Sequence, residues 1–337
     1  MGFEATQGPL VDRDGGSLSW SHDERQARSW EATMSSTHQV LGLAPRVATR
    51  TWRPPWHGGL HGSERAWAVA FLVPYLAVFV AFVLYPVVYG LWLGSDPHLY
   101  AQLFDNPRYL TTVANTLLLV GVGVNVQMFL ALLLSGFFIR RSRTVKALLV
   151  LYMLPWALPV LPAFVSLHWM LIGYGGFLNS ALEVLFGIDG PIWFNDYWLA
   201  LGANILAFVW KWMPFWTLVF VAGRMAIPPD IYEAAAVDGA TGLRRFTFVT
   251  FPLLASLYLV CTLLSTLWTI GDFTTAYFVS SGAPALQTEV LATFGFRTAF
   301  DHGYPRLGVA AVMSALPVLI PLAIMLMRRL QATEVQL

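Results

Sequence analysis

Charged residues are spread so unevenly along the chain that their absence outlines the architecture. Five stretches contain no Asp, Glu, Lys or Arg: 67–93, 109–139, 147–182, 247–271 and 307–327. A sixth, 197–223, is interrupted only by Lys211. Each exceeds the roughly 20 apolar residues that carry a helix across a bilayer. The pattern predicts six spanning helices and an all-α integral membrane fold. The stretch 147–182 is longer than one crossing needs. Its excess, from about Gly173 and including Gly175 and Gly176, predicts an external loop or re-entrant segment.

Six crossings put both ends of the chain on one side. Of the twenty Lys and Arg residues, sixteen fall on that side, three (Arg108, Arg297, Arg306) on the other, and Lys211 within a span. The excess of positive charge predicts cytoplasmic N- and C-termini. Residues 1–64 are rich in Ser, Gly, Arg and Trp without periodicity, which predicts a disordered cytoplasmic tail. Residues 331–337 form a second, short tail after a transmembrane domain at 65–330. The first residues lack the apolar core of a secretory signal. Met1-Gly2-Phe3-Glu4-Ala5-Thr6 fits the short myristoylation pattern, but six helices already supply the anchor.

Composition narrows the function. Hydrophobic residues make up 57% and charged residues 12%, about half the charged share of an ordinary soluble domain. Such a chain is neither a soluble enzyme nor, with a net charge of +1, a nucleic-acid binder. The one cysteine, Cys261, lies in an apolar run, so it predicts a small buried hydrophobe and excludes zinc sites built from several cysteines. His168 has no second ligand at +3 or +4 and predicts a satisfied buried histidine. No metal site is expected. The two lysines, Lys146 and Lys211, precede Ala147 and Trp212, so no Gly-Lys-Ser/Thr phosphate loop exists here.

The most ordered polar segment is Ile227-Pro228-Pro229-Asp230-Ile231-Tyr232-Glu233-Ala234-Ala235-Ala236-Val237-Asp238-Gly239-Ala240. The prolines stop the preceding helix. Asp230 followed by Glu233 predicts a capping box. The alanines form a small, close-packing face, and Gly239 ends the helix with positive φ. A second short helix is expected over 242–251, with Pro252 opening the next span. Packing on its own domain and docking into a groove of another protein are both open to such a loop.

Glu233-Ala234-Ala235, Gly239 and Phe251-Pro252 resemble the EAA loop of binding-protein-dependent ABC importer permeases. Leu154-Pro155-Trp156-Ala157-Leu158-Pro159 through His168-Trp169 is similar to the start of that family's third core helix. Trp210-Lys211-Trp212-Met213-Pro214-Phe215 is similar to the stretch preceding its EAA loop. Asp272-Phe273, Ser281-Gly282-Ala283-Pro284 and Thr288-Glu289 resemble the outer end of helix five in the carbohydrate branch, the maltose and glycerol-phosphate type. The likeness runs over roughly 65–329. Ala283 departs from the usual Gly-Gly-Pro, and Phe251 from the usual Leu.

The resemblance implies the type I ABC importer permease fold, with an EAA coupling loop at 224–252, in a bacterial or archaeal inner membrane. It implies a second homologous permease, two ABC ATPase subunits and an extracytoplasmic solute-binding protein as partners, besides membrane lipid. ATP and Mg would be bound on the ATPase subunits and no cofactor by this chain, which is a transport subunit with no catalytic residues. Glu233, Ala234, Ala235, Asp238 and Gly239 would couple to the ATPase, Glu233 through a basic partner. The segment 286–300, apolar at Val290, Leu291, Phe294, Ala299 and Phe300, reads by its own pattern as an amphipathic helix lying on the membrane, and the resemblance implies that this outer surface contacts the binding protein.

A sugar offers hydroxyls for hydrogen bonds and C–H faces for aromatic contact. Thr262, Ser265, Thr269 and Asp272 recur at helical spacing in the fifth span, and Asn204, Phe208, Lys211, Trp212 and Phe215 lie along the fourth. The candidate path comprises Asn204, Lys211, Trp212, Phe215, Ser265, Thr269 and Asp272. An ionisable group within a span points to function. Bland roles remain open: bonds between helices for the hydroxyls, structural pairing for Lys211, an interfacial place for Asp272. Asn115, Asn125 and Gln127 suit packing between helices. The rival readings are an ion-coupled secondary transporter of a small polar solute, which wants carboxylates inside its spans and an inverted repeat, and a membrane enzyme, which wants clustered His, Asp or Glu.

Overall fold

The computed structural model describes residues 64–140 and 142–334. The tail expected over 1–64 lies outside the described residues except for Glu64, which begins a helix. By packing, the chain divides into the units Met1–Pro74 and Tyr75–Leu337. Every regular element among the described residues is helical. Among the described residues, four helices are long and apolar enough to cross a membrane: α1 (Phe71–Leu93), α3 (Pro107–Phe138), α7 (Tyr197–Met225) and α9 (Gly242–Ile270). Two bent pairs can each serve as one further span, α4 (Arg143–Ala157) with α5 (Val160–Met170) and α11 (Pro305–Met313) with α12 (Leu316–Arg329). The shorter helices are α2 (Pro97–Asp105), α6 (Phe177–Phe186), α8 (Pro229–Val237) and α10 (Leu291–Phe296). The protein is a multi-pass membrane protein.

Local chemistry explains where the helices begin. Asp96 and Asn106 each accept a hydrogen bond from the backbone N–H two residues on, both at 3.0 Å, and each precedes a proline at the first helical position. Asp196 opens α7 by accepting from the Leu199 N–H at 2.9 Å. The core lies where α3, α7 and α9 meet, around Leu119, Met128, Leu132, Phe208, Trp216, Phe220, Leu254 and Cys261. Gly123 permits the close approach of α3 to α7, since a Cβ there would stand 3.3 Å from the Phe208 ring. At the far end of that contact Arg224 is buried, donating to Ser135 Oγ at 2.6 Å and to the Leu132 carbonyl at 3.0 Å. It is therefore part of the last turn of α7 rather than a loop charge.

Three expectations need correction. The stretch 147–182 holds more than a crossing and a loop: the turn expected from about Gly173 is present between α5 and α6, but ahead of it α4 and α5 meet at 93°. Leu158 precedes Pro159 and adopts an extended ψ of 145°, because the proline ring excludes the helical conformation from the residue before it. The stretch 307–327 is bent by 41° ahead of Pro317. The second short helix expected over 242–251 does not stop: it runs through Pro252 as part of α9. A single wider π-turn at Phe246–Thr250 comes just before that proline, which has no N–H to give to an α-helical ladder.

Candidate functional site

A cavity of about 210 Å³ lies between α7 and the end of α9, lined by Phe208, Trp212, Trp216, Ser265, Trp268, Thr269 and Asp272. The spacing explains the lining. Residues 208, 212 and 216 recur every fourth position on α7, while 265, 268, 269 and 272 form one face of α9 and its terminus. Trp216 and Trp268 approach at 5.7 Å between ring centroids, and Phe215 lies 4.9 Å from Trp216 behind them. Trp268 is 56% exposed, whereas Trp216 is buried. The wall is thus aromatic, with two hydroxyls and one carboxylate.

The Thr269 hydroxyl and the Asp272 carboxylate are already oriented. Thr269 Oγ1 donates to the Ser265 carbonyl at 2.7 Å, so only its lone pairs remain for a solute. Asp272 Oδ1 accepts from the N–H and hydroxyl of Thr274 at 3.0 and 2.8 Å and from the Thr275 N–H at 3.3 Å, and Oδ2 accepts from the Thr275 hydroxyl. Asp272 caps the turn that follows α9 while it borders the cavity.

Of the residues expected along a path, the structure brings together Trp212, Ser265, Thr269 and Asp272. It does not bring Asn204, which donates to Ser280 Oγ at 2.9 Å, nor Phe215, which stacks on Trp156 at 5.8 Å. Lys211 is buried on another face of α7 and donates to backbone carbonyls of Pro155 and Leu158. Thr262 donates to the Tyr258 carbonyl at 2.7 Å and is not among the cavity's lining residues. The sequence reading missed Trp216 and Trp268. The signal was present: Trp216 stands four residues after Trp212, and Trp268 four before Asp272.

At the other end of α7, α8 projects after Pro228. Glu233, Ala234 and Asp238 are exposed and Ala235 is buried. Gly239 has φ +75° and closes the helix, with the Ala240 N–H donating to the Ala235 carbonyl at 2.8 Å and the Gly239 N–H to the Ala236 carbonyl at 3.1 Å. The expected capping box does not form. Pro228 is the capping residue and makes no side-chain bond, Pro229 takes the first helical position, and Asp230 is carried inside the first turn. The Arg245 guanidinium lies 5.8 Å from the Tyr232 ring centroid, joining the first turn of α9 to α8.

The segment expected as a free amphipathic helix over 286–300 is instead folded into the chain's own core. Its regular helix is short, and Val290, Leu291 and Phe294 are buried, while Phe300 is exposed. Asn115 donates to the carbonyls of Gln287 and Glu289 at 2.7 and 2.8 Å, and the Leu291 N–H donates to Thr116 Oγ1 at 2.9 Å. Glu289 is buried between Arg297 at 3.2 Å and Arg108 at 3.6 Å, yet neither carboxylate oxygen meets an aligned donor among the described residues. Burial pushes the Glu289 carboxyl above the usual carboxylate range, outweighing the pull of Arg108 and Arg297. A carboxyl that holds its proton more tightly when folded contributes stability that is lost as pH rises through its folded value. Hydrogen-exchange protection of 288–296 should therefore increase on acidification from neutral pH, and Glu289→Gln should flatten the dependence. Protection lost on acidification would mean that the arginine pairs dominate.

His168 Nδ1 lies 2.7 Å from the Val279 carbonyl, and its ring stacks on Phe194 at 5.0 Å. Among the described residues no three His, Cys, Asp or Glu side chains come together as metal ligands.

Residues 127–333 match the family described as binding-protein-dependent transport system inner membrane component. The chain is 32% identical to the sulfoquinovosyl glycerol transport system permease protein of Agrobacterium fabrum, over 78% of this chain and 90% of that one. It is 27% identical to the trehalose/maltose transport system permease protein of Thermococcus litoralis, over 74% and 86%. Its fold matches a chain from the crystal structure of a bacterial alginate ABC transporter in complex with an alginate pentasaccharide-bound periplasmic protein, with a TM-score of 0.70 at 21% identity, over 79% and 95%.

Proposed function

The chain belongs to the binding-protein-dependent transport system inner membrane component family, and on that premise we propose that its α7–α9 cavity is this subunit's share of a sugar path. The protein is a permease subunit of a carbohydrate-type ABC importer, a transport component rather than an enzyme. The finer reading is that a second homologous permease completes the path. Two ABC ATPase subunits, which bind ATP and Mg, would drive it, and an extracytoplasmic solute-binding protein would deliver the solute. The setting is a bacterial or archaeal inner membrane with cytoplasmic termini, a transmembrane domain at 65–330 and a coupling loop at 224–252.

One observation carries the path: three tryptophans and a phenylalanine share about 210 Å³ with two hydroxyls and a carboxylate. Aromatic faces receive the C–H side of a pyranose, and the polar groups receive its hydroxyls. The volume falls below the ~300 Å³ of an ordinary ligand pocket, which suits a wall shared with another subunit. Asp272 is the ionisable group on this wall, and the nearest lysine points away. A carboxylate facing an anionic sugar in a low-dielectric site is repulsive, so a neutral oligosaccharide or polyol fits better.

Glu233, Ala234, Ala235, Asp238 and Gly239 are read as the ATPase-coupling surface. Exposure of Glu233, Ala234 and Asp238 on a short, well-terminated helix supports that role. The test is ATP hydrolysis by the complete complex in proteoliposomes. Neutral disaccharide presented with the binding protein should raise hydrolysis several-fold over the basal rate, and the corresponding uronate should not. Uptake driven by an imposed ion gradient without ATP would favour the secondary transporter instead.

A further inference from the structure

The break between α4 and α5 has an orphan built into its sequence. In a continuous helix the Pro155 carbonyl would receive the N–H of residue 159, but residue 159 is proline and has none. At membrane depth such a carbonyl has no water to turn to. Lys211 meets it from α7. Its Nζ lies 2.7 Å from the Pro155 carbonyl and 3.4 Å from that of Trp156, and it also donates to the Leu158 carbonyl. Three carbonyls surround a group with three donors, and the residue is 1% exposed.

The same lysine touches the cavity by two routes. Its Nζ is 5.8 Å from the centroid of the Trp212 ring, which lines the cavity. Trp156, whose carbonyl it approaches, stacks on Phe215 at 5.8 Å, and Phe215 lies 4.9 Å from Trp216 and 6.4 Å from Trp268. Both of those tryptophans line the cavity.

We propose that Lys211 is a positioning residue of the solute path: its ammonium pins the 93° turn between α4 and α5 to α7 and thereby sets the aromatic wall. It does not touch the solute. Its charge is consumed by the broken helix, so Lys211 acts through Trp156, Phe215 and Trp212. The proposal rests on the reading of the cavity as the path.

The complete complex in proteoliposomes provides the test, with half-saturation of uptake by the neutral disaccharide as the readout. Lys211→Ala leaves a cradle of three carbonyls that a small primary ammonium can enter. Half-saturation should rise about tenfold, equivalent to ~1.4 kcal/mol of lost positioning. Added n-propylammonium should restore much of it, and tetramethylammonium, which has no N–H, should not. Lys211→Met fills the space without a donor; it should show the same rise with no rescue, and it keeps the test available if the alanine variant does not assemble.

Wild-type half-saturation in either variant overturns the proposal. So does a loss of assembly in both variants that n-propylammonium fails to reverse in Lys211→Ala, because that marks a purely structural lysine. Trp268→Ala separates the two readings. If it raises half-saturation while both Lys211 variants leave it unchanged, the pin alone fails. If Trp268→Ala also changes nothing, the cavity is not the path.

Discussion

Glu233→Lys is expected to leave the protein in the membrane and its fold intact while reducing transport at least tenfold (~1.4 kcal/mol or more of lost coupling). Glu233 is exposed on α8, and among the described residues no hydrogen bond or ion pair holds its carboxylate. With no capping box to lose, and with Glu233 beyond the first turn, where Asp230 is the acidic residue, the substitution costs α8 little helix-dipole stabilisation. Whatever larger loss appears must come from a partner that meets Glu233 with a basic group. Gly239→Val is the matched control for melting the helix. It forces a β-branched residue to φ +75°, where an added Cβ meets no atom of this chain within 4 Å, so within this chain its cost is backbone strain. Co-purification of the ATPase subunits and the ratio of stimulated to basal hydrolysis distinguish the two. An assembled Glu233→Lys complex transporting at the wild-type rate would remove the docking role.

How far the architecture could be read ahead depended on whether the deciding contact was local. The apolar runs were long and free of charge, so the membrane-spanning helices were visible in the chain, as was the positive φ at Gly239 that ends α8. The stretch 147–182 is more complex than its charge-free run predicts. Pro155 and Pro159 were in plain view, but a helix that breaks at membrane depth needs its carbonyls met, and the group that meets them is Lys211, 56 residues on from Pro155. No periodicity within 147–182 contains that information. The start of α8 failed for a different reason. Asp230 and Glu233 match a capping box by spacing, but Pro229 is better suited than Asp230 to the first helical position and shifts the frame.

The candidate path was half legible for a geometric reason. On α7 the sequence pattern points to a face through Asn204, Lys211 and Phe215, all within one broad arc of Trp212. Only the contacts with α4, α9 and the 276–280 turn decide that Lys211 faces the break, Asn204 faces Ser280 and Trp216 faces the cavity. On α9, Ser265, Thr269 and Asp272 of the polar stripe stay together at the cavity, while Thr262, a turn earlier, bonds to the Tyr258 carbonyl and does not join them. The 286–300 segment shows the same limit: its apolar face is amphipathic by pattern, and whether lipid or Tyr109 and Leu103 cover it is a tertiary matter.

Trp268→Ala is expected to raise half-saturation of uptake about fivefold, and Trp212→Ala by a similar factor, at ~1 kcal/mol for each aromatic face withdrawn from the solute. Trp268 is 56% exposed and Trp212 half-buried, so neither change opens a deep core cavity, and complex yield should stay near wild type. If the two rings act independently, the double variant should lose roughly 25-fold; a smaller loss would mean that they hold one sugar ring jointly. Thr269→Val should do less, a few-fold at most. Its hydroxyl hydrogen is already committed to the Ser265 carbonyl at 2.7 Å, so the solute loses one acceptor and that carbonyl loses one donor. Asp272→Asn tests the carboxylate separately: an amide oxygen can still accept from the Thr274 N–H, so the turn after α9 keeps its cap while the negative charge disappears. Rejection of the uronate should then relax, with neutral solute little affected. Yield that collapses while half-saturation stays constant across all four variants would make this wall packing between helices and place the path elsewhere.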